Sequence, residues 1–255
     1  MIEARRLALV YPDGTQAIHP ADLTVGEGEL AFVTGPSGSG KTSLLQMLLG
    51  MYRPTEGSLA VLGYDMASIR DGGLRRLRQQ TGPVFQDFRL TPGRHALENV
   101  MAGLRFLKPH PMDCRRDALA ALERVGLAGK AFTPVEHLSW GERQRVSIAR
   151  AVARKPRLIL ADEPTGNLDR ENALRILSLL ASFRDRSTTV VITTHATHLI
   201  EDFGADVLVR IDNGTVSVGR HDNGTVSRER VDNGSMPVGR MDNGMASVER
   251  MEDRA

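Results

Sequence analysis

Gly35-Pro36-Ser37-Gly38-Ser39-Gly40-Lys41-Thr42 is the stretch on which the reading of this chain turns. It has the spacing G-x-x-x-x-G-K-[ST], and its flanks suit a tight passage from strand to helix. Apolar Leu30-Ala31-Phe32-Val33 precedes it as a buried strand, and Ser43 to Leu49 follows it as a helix. Glycines let the backbone approach a polyphosphate and turn successive N–H groups toward it. The helix start adds its positive end. In such a loop Lys41 reaches the β- and γ-phosphates, and the Thr42 hydroxyl binds Mg²⁺. The plainer alternative is a glycine-rich turn between strand and helix; the full pattern in this context favours the phosphate loop.

A chain of 255 residues suits one large domain, or one domain with an appendage. Its charged fraction of 25% and hydrophobic fraction of 41% are ordinary for a globular protein. A net charge of +2 demands no nucleic-acid partner, and none is expected. Cys114 is the single cysteine, so a disulfide framework is excluded and a reduced, cytoplasmic setting is expected. It reads as an incidental thiol rather than a nucleophile. No run approaches the roughly 18 apolar residues of a membrane span. Met1 to Arg6 lacks the apolar core of a signal peptide. Work at a membrane would therefore pass through a partner.

Leu7 to Tyr11, Leu23 to Val25 and Gly57 to Gly63 read as strands, with turns at Pro12-Asp13-Gly14 and, before the phosphate-loop strand, at Gly26-Glu27-Gly28-Glu29. Tyr11 has two readings, packing at a strand end or stacking on a flat base. Arg70 to Gln80 reads as a basic helix with Leu74 and Leu77 on one face, and Val84-Phe85 as a short strand ending at Gln86. From Asp87 onward the pattern turns helical, with helices expected over Ala96 to Leu107 and Asp113 to Val125. Ser139 followed by Glu142 forms a capping box, so a helix starts there and runs to about Arg154, ahead of Pro156. Those two residues can simply cap. Alternatively the helix start, bare at Gly141, faces a phosphate.

Leu158 to Ala161 is a buried strand that ends in Asp162 and Glu163. Such runs belong to parallel sheets, whose carboxyl ends form the rim where ligands bind. Thr189 to Thr194 repeats the design and ends in His195. A lone histidine after a strand is more often structural, but here it joins other polar strand ends beside the glycine loop.

Val207 to Ile211 is a further strand, turned by Asp212-Asn213-Gly214 into Thr215 to Val218 as a hairpin. Asp-Asn-Gly then recurs every ten residues, at Asp222, Asp232 and Asp242. These later copies hold few large apolar residues and are expected to be flexible or to form a marginal β-meander. Their spacing matches neither the EF-hand loop nor the nonapeptide calcium repeat.

Together these segments resemble the nucleotide-binding subunit of an ATP-binding cassette (ABC) transporter, over about residues 1–219. Gly35 to Thr42 is like the Walker A loop, and Gln86 the Q-loop glutamine. Leu138-Ser139-Trp140-Gly141-Glu142-Arg143-Gln144 resembles the signature motif, and Leu158 to Glu163 the Walker B strand. Gly166-Asn167-Leu168-Asp169 is like the D-loop, and His195 the switch histidine. The finer resemblance is to the FtsE, LolD and MacB group. Ala161 to Asp169 is a phrase that group favours, Val84 to Leu90 looks most like FtsE, and Ala96 to Val100 also occurs in the other two branches. In one departure, Trp140 stands where the signature usually has its first glycine, while Gly141 is retained. In the other, the repeats after about residue 219 are foreign to the pattern.

The resemblance implies an α/β fold, a P-loop NTPase of ABC type with a β subdomain and a helical insertion over about residues 87–150, followed by a repeat tail over 220–255. It implies ATP hydrolysis, with Mg²⁺ held by Thr42, Gln86 and Asp162. Glu163 would act as general base, with His195, Lys41 and Gln86 as its catalytic companions. ATP would contact Tyr11, now placed at the adenine-stacking position, together with Gly35, Pro36, Ser37, Gly38, Ser39, Gly40, Lys41, Thr42 and Ser43. Ser139, Gly141, Glu142 and Asp169 would complete the site of a second subunit in a head-to-tail homodimer. The implied partner is an integral membrane permease or an FtsX-like subunit, which places the chain peripherally on the cytoplasmic face. The competing reading is a non-transport ABC ATPase acting on DNA or ribosomes.

Overall fold

The computed structural model describes residues 1–229 except 106, 108, 109, 167, 201, 202, 223 and 224. The chain begins with a hairpin, β1 (Ile2–Val10) and β2 (Gln16–Val25), and passes through β3 (Leu30–Thr34) into helix α1 (Lys41–Leu48). β4 (Glu56–Val61), β5 (Tyr64–Asp65), α2 (Asp71–Gln80) and β6 (Thr81–Val84) follow. Three helices, α3 (Ala96–Ala102), α4 (Pro111–Arg124) and α5 (Trp140–Val152), precede β7 (Leu158–Ala161). Then come α6 (Arg170–Ala181), β8 (Thr189–Thr194), β9 (Val207–Asp212), β10 (Thr215–Asp222) and β11 (Thr225–Glu229).

These strands make two sheets, a four-stranded one in the order β2-β1-β4-β5 and a seven-stranded one in the order β11-β10-β9-β3-β8-β7-β6. The smaller sheet is antiparallel throughout. In the larger, β9, β3, β8, β7 and β6 run parallel. All residues of β3, β7 and β8 are buried, as a parallel sheet covered on both faces requires. Alternate residues divide between two cores. Phe32, Ile159, Ala161, Val190 and Ile192 pack with α3 to α6. Ala31, Val33, Leu158, Leu160 and Val191 pack with α1 and the small sheet.

Several elements differ from the sequence reading. β1 and β2 are far longer than Leu7 to Tyr11 and Leu23 to Val25, because exposed polar residues interrupt their apolar runs while the two strands pair from Ile2 with Val25 to Val10 with Gln16. The helix expected to reach Leu107 stops at Ala102, capped by Gly103. A Cβ at Gly103 would press on Arg150, so the glycine marks a close helix contact as well as an end. α4 starts earlier than Asp113, because Pro111 at its first turn is preset for a helix. β10 runs past residue 219 to Asp222, and the Arg220 guanidinium reaches Glu29 at 3.0 Å and the Thr24 carbonyl at 2.8 Å. β11 continues the antiparallel order from the second Asp-Asn-Gly copy. Asn167 and the repeats after Glu229 lie outside the described residues. Among the described residues no helix is long and apolar enough to cross a membrane.

Candidate active site

The parallel order puts four strand ends side by side. β3 leads into Gly35, β8 into His195, β7 into Asp162 and Glu163, and β6 toward Gln86. Residues far apart in sequence therefore meet at one rim, where ligands of open α/β sheets bind.

The glycine loop fits so tightly that two of its glycines are obligatory. Gly35 has φ 150° and Gly40 φ 113°, and a Cβ at either would overlap a backbone carbonyl oxygen, of Ile211 or Ala17. Gly40 also starts α1, with no side chain capping the helix. The first N–H groups of α1 are thus open to an anion. The Ser39 hydroxyl oxygen is buried without a partner, and space is open around Gly38. These features fit a polyphosphate.

Pro36, Ser37, Gly38, Gly40, Lys41, Thr42, Ser43, Gln86, Glu163 and His195 line a single cleft of about 600 Å³. The buried Lys41 ammonium donates to the Gly35 and Pro36 carbonyls, both at 2.9 Å, and lies 3.2 Å from Glu163 Oε1. Glu163 Oε2 lies 2.9 Å from His195 Nδ1 and also accepts from the His195 backbone N–H. Glu163 itself has φ 43°, a left-handed backbone that a non-glycine residue holds only where its surroundings enforce it. The Thr193 hydroxyl provides part of that hold, accepting the Glu163 N–H at 2.9 Å. Thr193 was not singled out from sequence. Its signal was a hydroxyl inside a fully buried apolar strand, two residues before His195.

Asp162 Oδ1 accepts from the Thr193 hydroxyl at 2.8 Å and the Thr42 hydroxyl at 3.2 Å. Thr42, Gln86 and Asp162 line one recess of about 270 Å³ beside the cleft. Among the described residues no cluster of three or more His, Cys, Asp or Glu forms a metal site. One carboxylate with hydroxyl and amide oxygens suits a cation whose remaining ligands come from phosphate and water, as Mg²⁺ prefers.

Burial pushes the Asp162 carboxyl above its ordinary range, against the opposing pull of the Thr193 and Thr42 hydroxyls. The folded chain therefore holds this proton more tightly than the unfolded one. Stability of the metal-free protein falls as pH rises from the ordinary aspartate value through the raised one, and stays reduced above it. Asp162→Asn retains an acceptor for both hydroxyls and removes the charge. At pH 7 it is expected to raise the thermal midpoint of the metal- and nucleotide-free protein by about 2–4 °C. The gain should vanish below about pH 4. Melting curves of both proteins across pH check this.

The Tyr11 hydroxyl bonds the Ser43 hydroxyl at 2.8 Å, and its ring meets the half-exposed Tyr52 edge-on at 5.3 Å. Tyr11 thus joins the cleft through the start of α1, with ring surface left over for a flat ligand.

Ser139, Gly141, Glu142 and Asp169 lie elsewhere. They line a separate cleft of about 520 Å³ with Trp140, Leu168 and Asn172. The capping box is present: Ser139 Oγ accepts the Glu142 N–H, and Glu142 accepts the Ser139 N–H at 2.9 Å. Lys130, joined to Glu142, and the Ser139 N–H hold the Glu142 carboxyl below its usual range. Asp169 caps α6 by accepting from the Asn172 N–H at 3.0 Å. Only Leu168 comes near the site of a Cβ on Gly141, so this helix start stays open.

Comparison with known proteins agrees with this geometry. The family model described as ABC transporter matches residues 18–166. The cell division ATP-binding protein FtsE of Bacillus subtilis is 35% identical over 216 residues, covering 85% of this chain and 94% of the relative. The FtsE of Escherichia coli K12 is 40% identical over 200 residues, covering 78% and 90%. Among solved structures, the ATP-binding cassette MJ0796, a dimer in a post-hydrolysis state bound to ADP and Pi, superposes with a TM-score of 0.76. It is 33% identical, covering 85% of this chain and 96% of that one. CbiO1 of Clostridium perfringens, part of the ABC transporter complex CbiONQ, superposes at 0.77 with 27% identity, covering 84% and 86%. A phosphate cleft at four parallel strand ends, and relatives that match it over most of their length, lead to one conclusion: the chain belongs to the ABC transporter family, as one of its ATP-hydrolysing cassettes.

Proposed function

We propose that this chain is the ATPase subunit of a cell-division complex, working as a head-to-tail pair under an integral membrane partner of FtsX-like or permease type. The observation that carries the pairing is the separation of the two clefts. The phosphate loop lines one, and Ser139, Gly141 and Asp169 line the other, with no residue in common. Each is half of a site, and a second copy turned end to end completes both. The FtsE names of the relatives support the cell-division role, and the dimeric cassette structure supports the pairing. The absence of a spanning helix among the described residues is compatible with a peripheral place at the cytoplasmic face.

In this reading Tyr11 stacks on adenine, and Lys41 with the loop N–H groups binds the β- and γ-phosphates. Thr42, Gln86 and Asp162 would hold Mg²⁺, which supplies charge neutralisation at those phosphates. Glu163 accepts a proton from water as the water oxygen bonds to the γ-phosphorus. The bond from that phosphorus to the β–γ bridging oxygen breaks, leaving ADP and phosphate. His195 orients Glu163 and contacts the γ-phosphate. Positioning and fixed charge supply most of the acceleration.

Affinity capture of the Glu163→Gln chain from native membranes with ATP tests the reading. A membrane protein with one extracellular domain, recovered with division proteins, is the expected result. A lipoprotein-release or efflux permease would replace cell division by transport. Ribosomes or DNA-bound proteins, without a membrane partner, would overturn the proposal.

A further inference from the structure

α5 turns one stripe of side chains toward the loop that follows β6. Trp140, Gln144 and Ser147 are spaced by four and three residues, so they share a face. The Trp140 indole meets the Phe88 ring edge-on, with centres 4.7 Å apart. Arg143 lies 5.6 Å from the centre of the same ring. The Ser147 hydroxyl donates to the Phe88 carbonyl, and the Arg150 guanidinium donates to the Phe88 and Arg89 carbonyls. Phe88 and Arg89 have φ 57° and 47°, two successive left-handed residues that each carry a Cβ. The loop just after Gln86 is therefore held against α5 in a strained form.

Between Trp140 and Ser147 stands Gln144, fully buried, and neither its amide nitrogen nor its carbonyl oxygen has a partner. Leaving a buried amide without a protein partner costs free energy. Strain on one side of the contact and an unpaired amide on the other mean that a second arrangement of the same surfaces could satisfy both.

We propose that Gln144 is a positioning residue for Gln86. When nucleotide engages Gln86, residues 86–89 shift along α5, and the Gln144 carboxamide takes up backbone groups of that loop. That pairing, which the structure lacks, favours the engaged position. A ligand moves an equilibrium only through interactions that differ between its two states, and this side chain supplies one. The inference rests on the ATPase reading above.

Gln144→Met tests it in the full-length chain, because methionine keeps the length and removes both polar atoms. The readouts are the thermal midpoint without nucleotide, and kcat and KM for ATP with Mg²⁺. The midpoint is expected to rise by about 2–4 °C. kcat should fall about tenfold with KM nearly unchanged, the mark of a contact made after binding. Gln144→Leu should reproduce both changes. A lowered midpoint in both variants would mean that the amide is already satisfied in the free protein, and would overturn the inference. A raised midpoint with unchanged kcat would overturn it too. A wild-type chain without ATPase activity would instead sink the functional reading, and the inference with it.

Discussion

Glu163→Gln is expected to bind ATP at least as tightly as the wild type and to hydrolyse it at least about 100-fold more slowly. The reasoning starts from the carboxylate's place. It is buried, its Oε2 is fixed by the His195 ring and backbone N–H, and its Oε1 faces Lys41 at 3.2 Å. Glutamine preserves the volume and can still accept from the His195 N–H, so the strained backbone at φ 43° should survive. What it cannot do is take a proton from water. The change also frees Lys41 from its counter-charge, which leaves the ammonium more available to phosphate. Nucleotide titration by fluorescence and steady-state phosphate release separate the two effects. Wild-type turnover in this variant would remove Glu163 from the mechanism.

The cleft residues of this cassette were legible because they stand at strand ends. Gly35 to Thr42, Asp162-Glu163 and His195 each follow a short apolar run, and such runs become neighbours in a parallel sheet. The order of those neighbours was not legible. β3 pairs with β8 and β9, more than 150 residues later in the chain, and no local pattern encodes that choice. α6 was missed although Asp169 caps it and Ala173, Ile176, Leu177 and Leu180 repeat at helical spacing. The signature serine and Glu142 read correctly as a capping box, yet the same residues open a cleft that is empty of any phosphate loop. Local sequence gives the helix start, and the fold puts it in a cleft that shares no lining residue with that of the phosphate loop. The Trp140 to Phe88 contact is similarly tertiary, joining residues that sequence reading had assigned to separate motifs.

Lys41→Met is expected to abolish measurable ATP binding and, separately, to destabilise the nucleotide-free protein by about 3 kcal/mol. The second effect follows from the free state rather than from the ligand. Lys41 is 5% exposed and its partner Glu163 8%, and the ammonium also ties together the Gly35 and Pro36 carbonyls. Removing it strands a buried carboxylate and loosens the loop. The loss falls at the low end of the range for broken buried pairs because His195 still stands beside Glu163 at 2.9 Å. The double variant Lys41→Met with Glu163→Gln removes both charges together, so it should regain most of the lost stability. It should regain no nucleotide binding, since the phosphate contact is gone in either background. Chemical denaturation of the four proteins of this cycle, alongside ATP titration, tells the two roles of Lys41 apart. If the double variant is as unstable as the sum of the singles, the pair is not energetically coupled. The resting lock between the phosphate loop and Glu163 would then play no part in holding the empty site together.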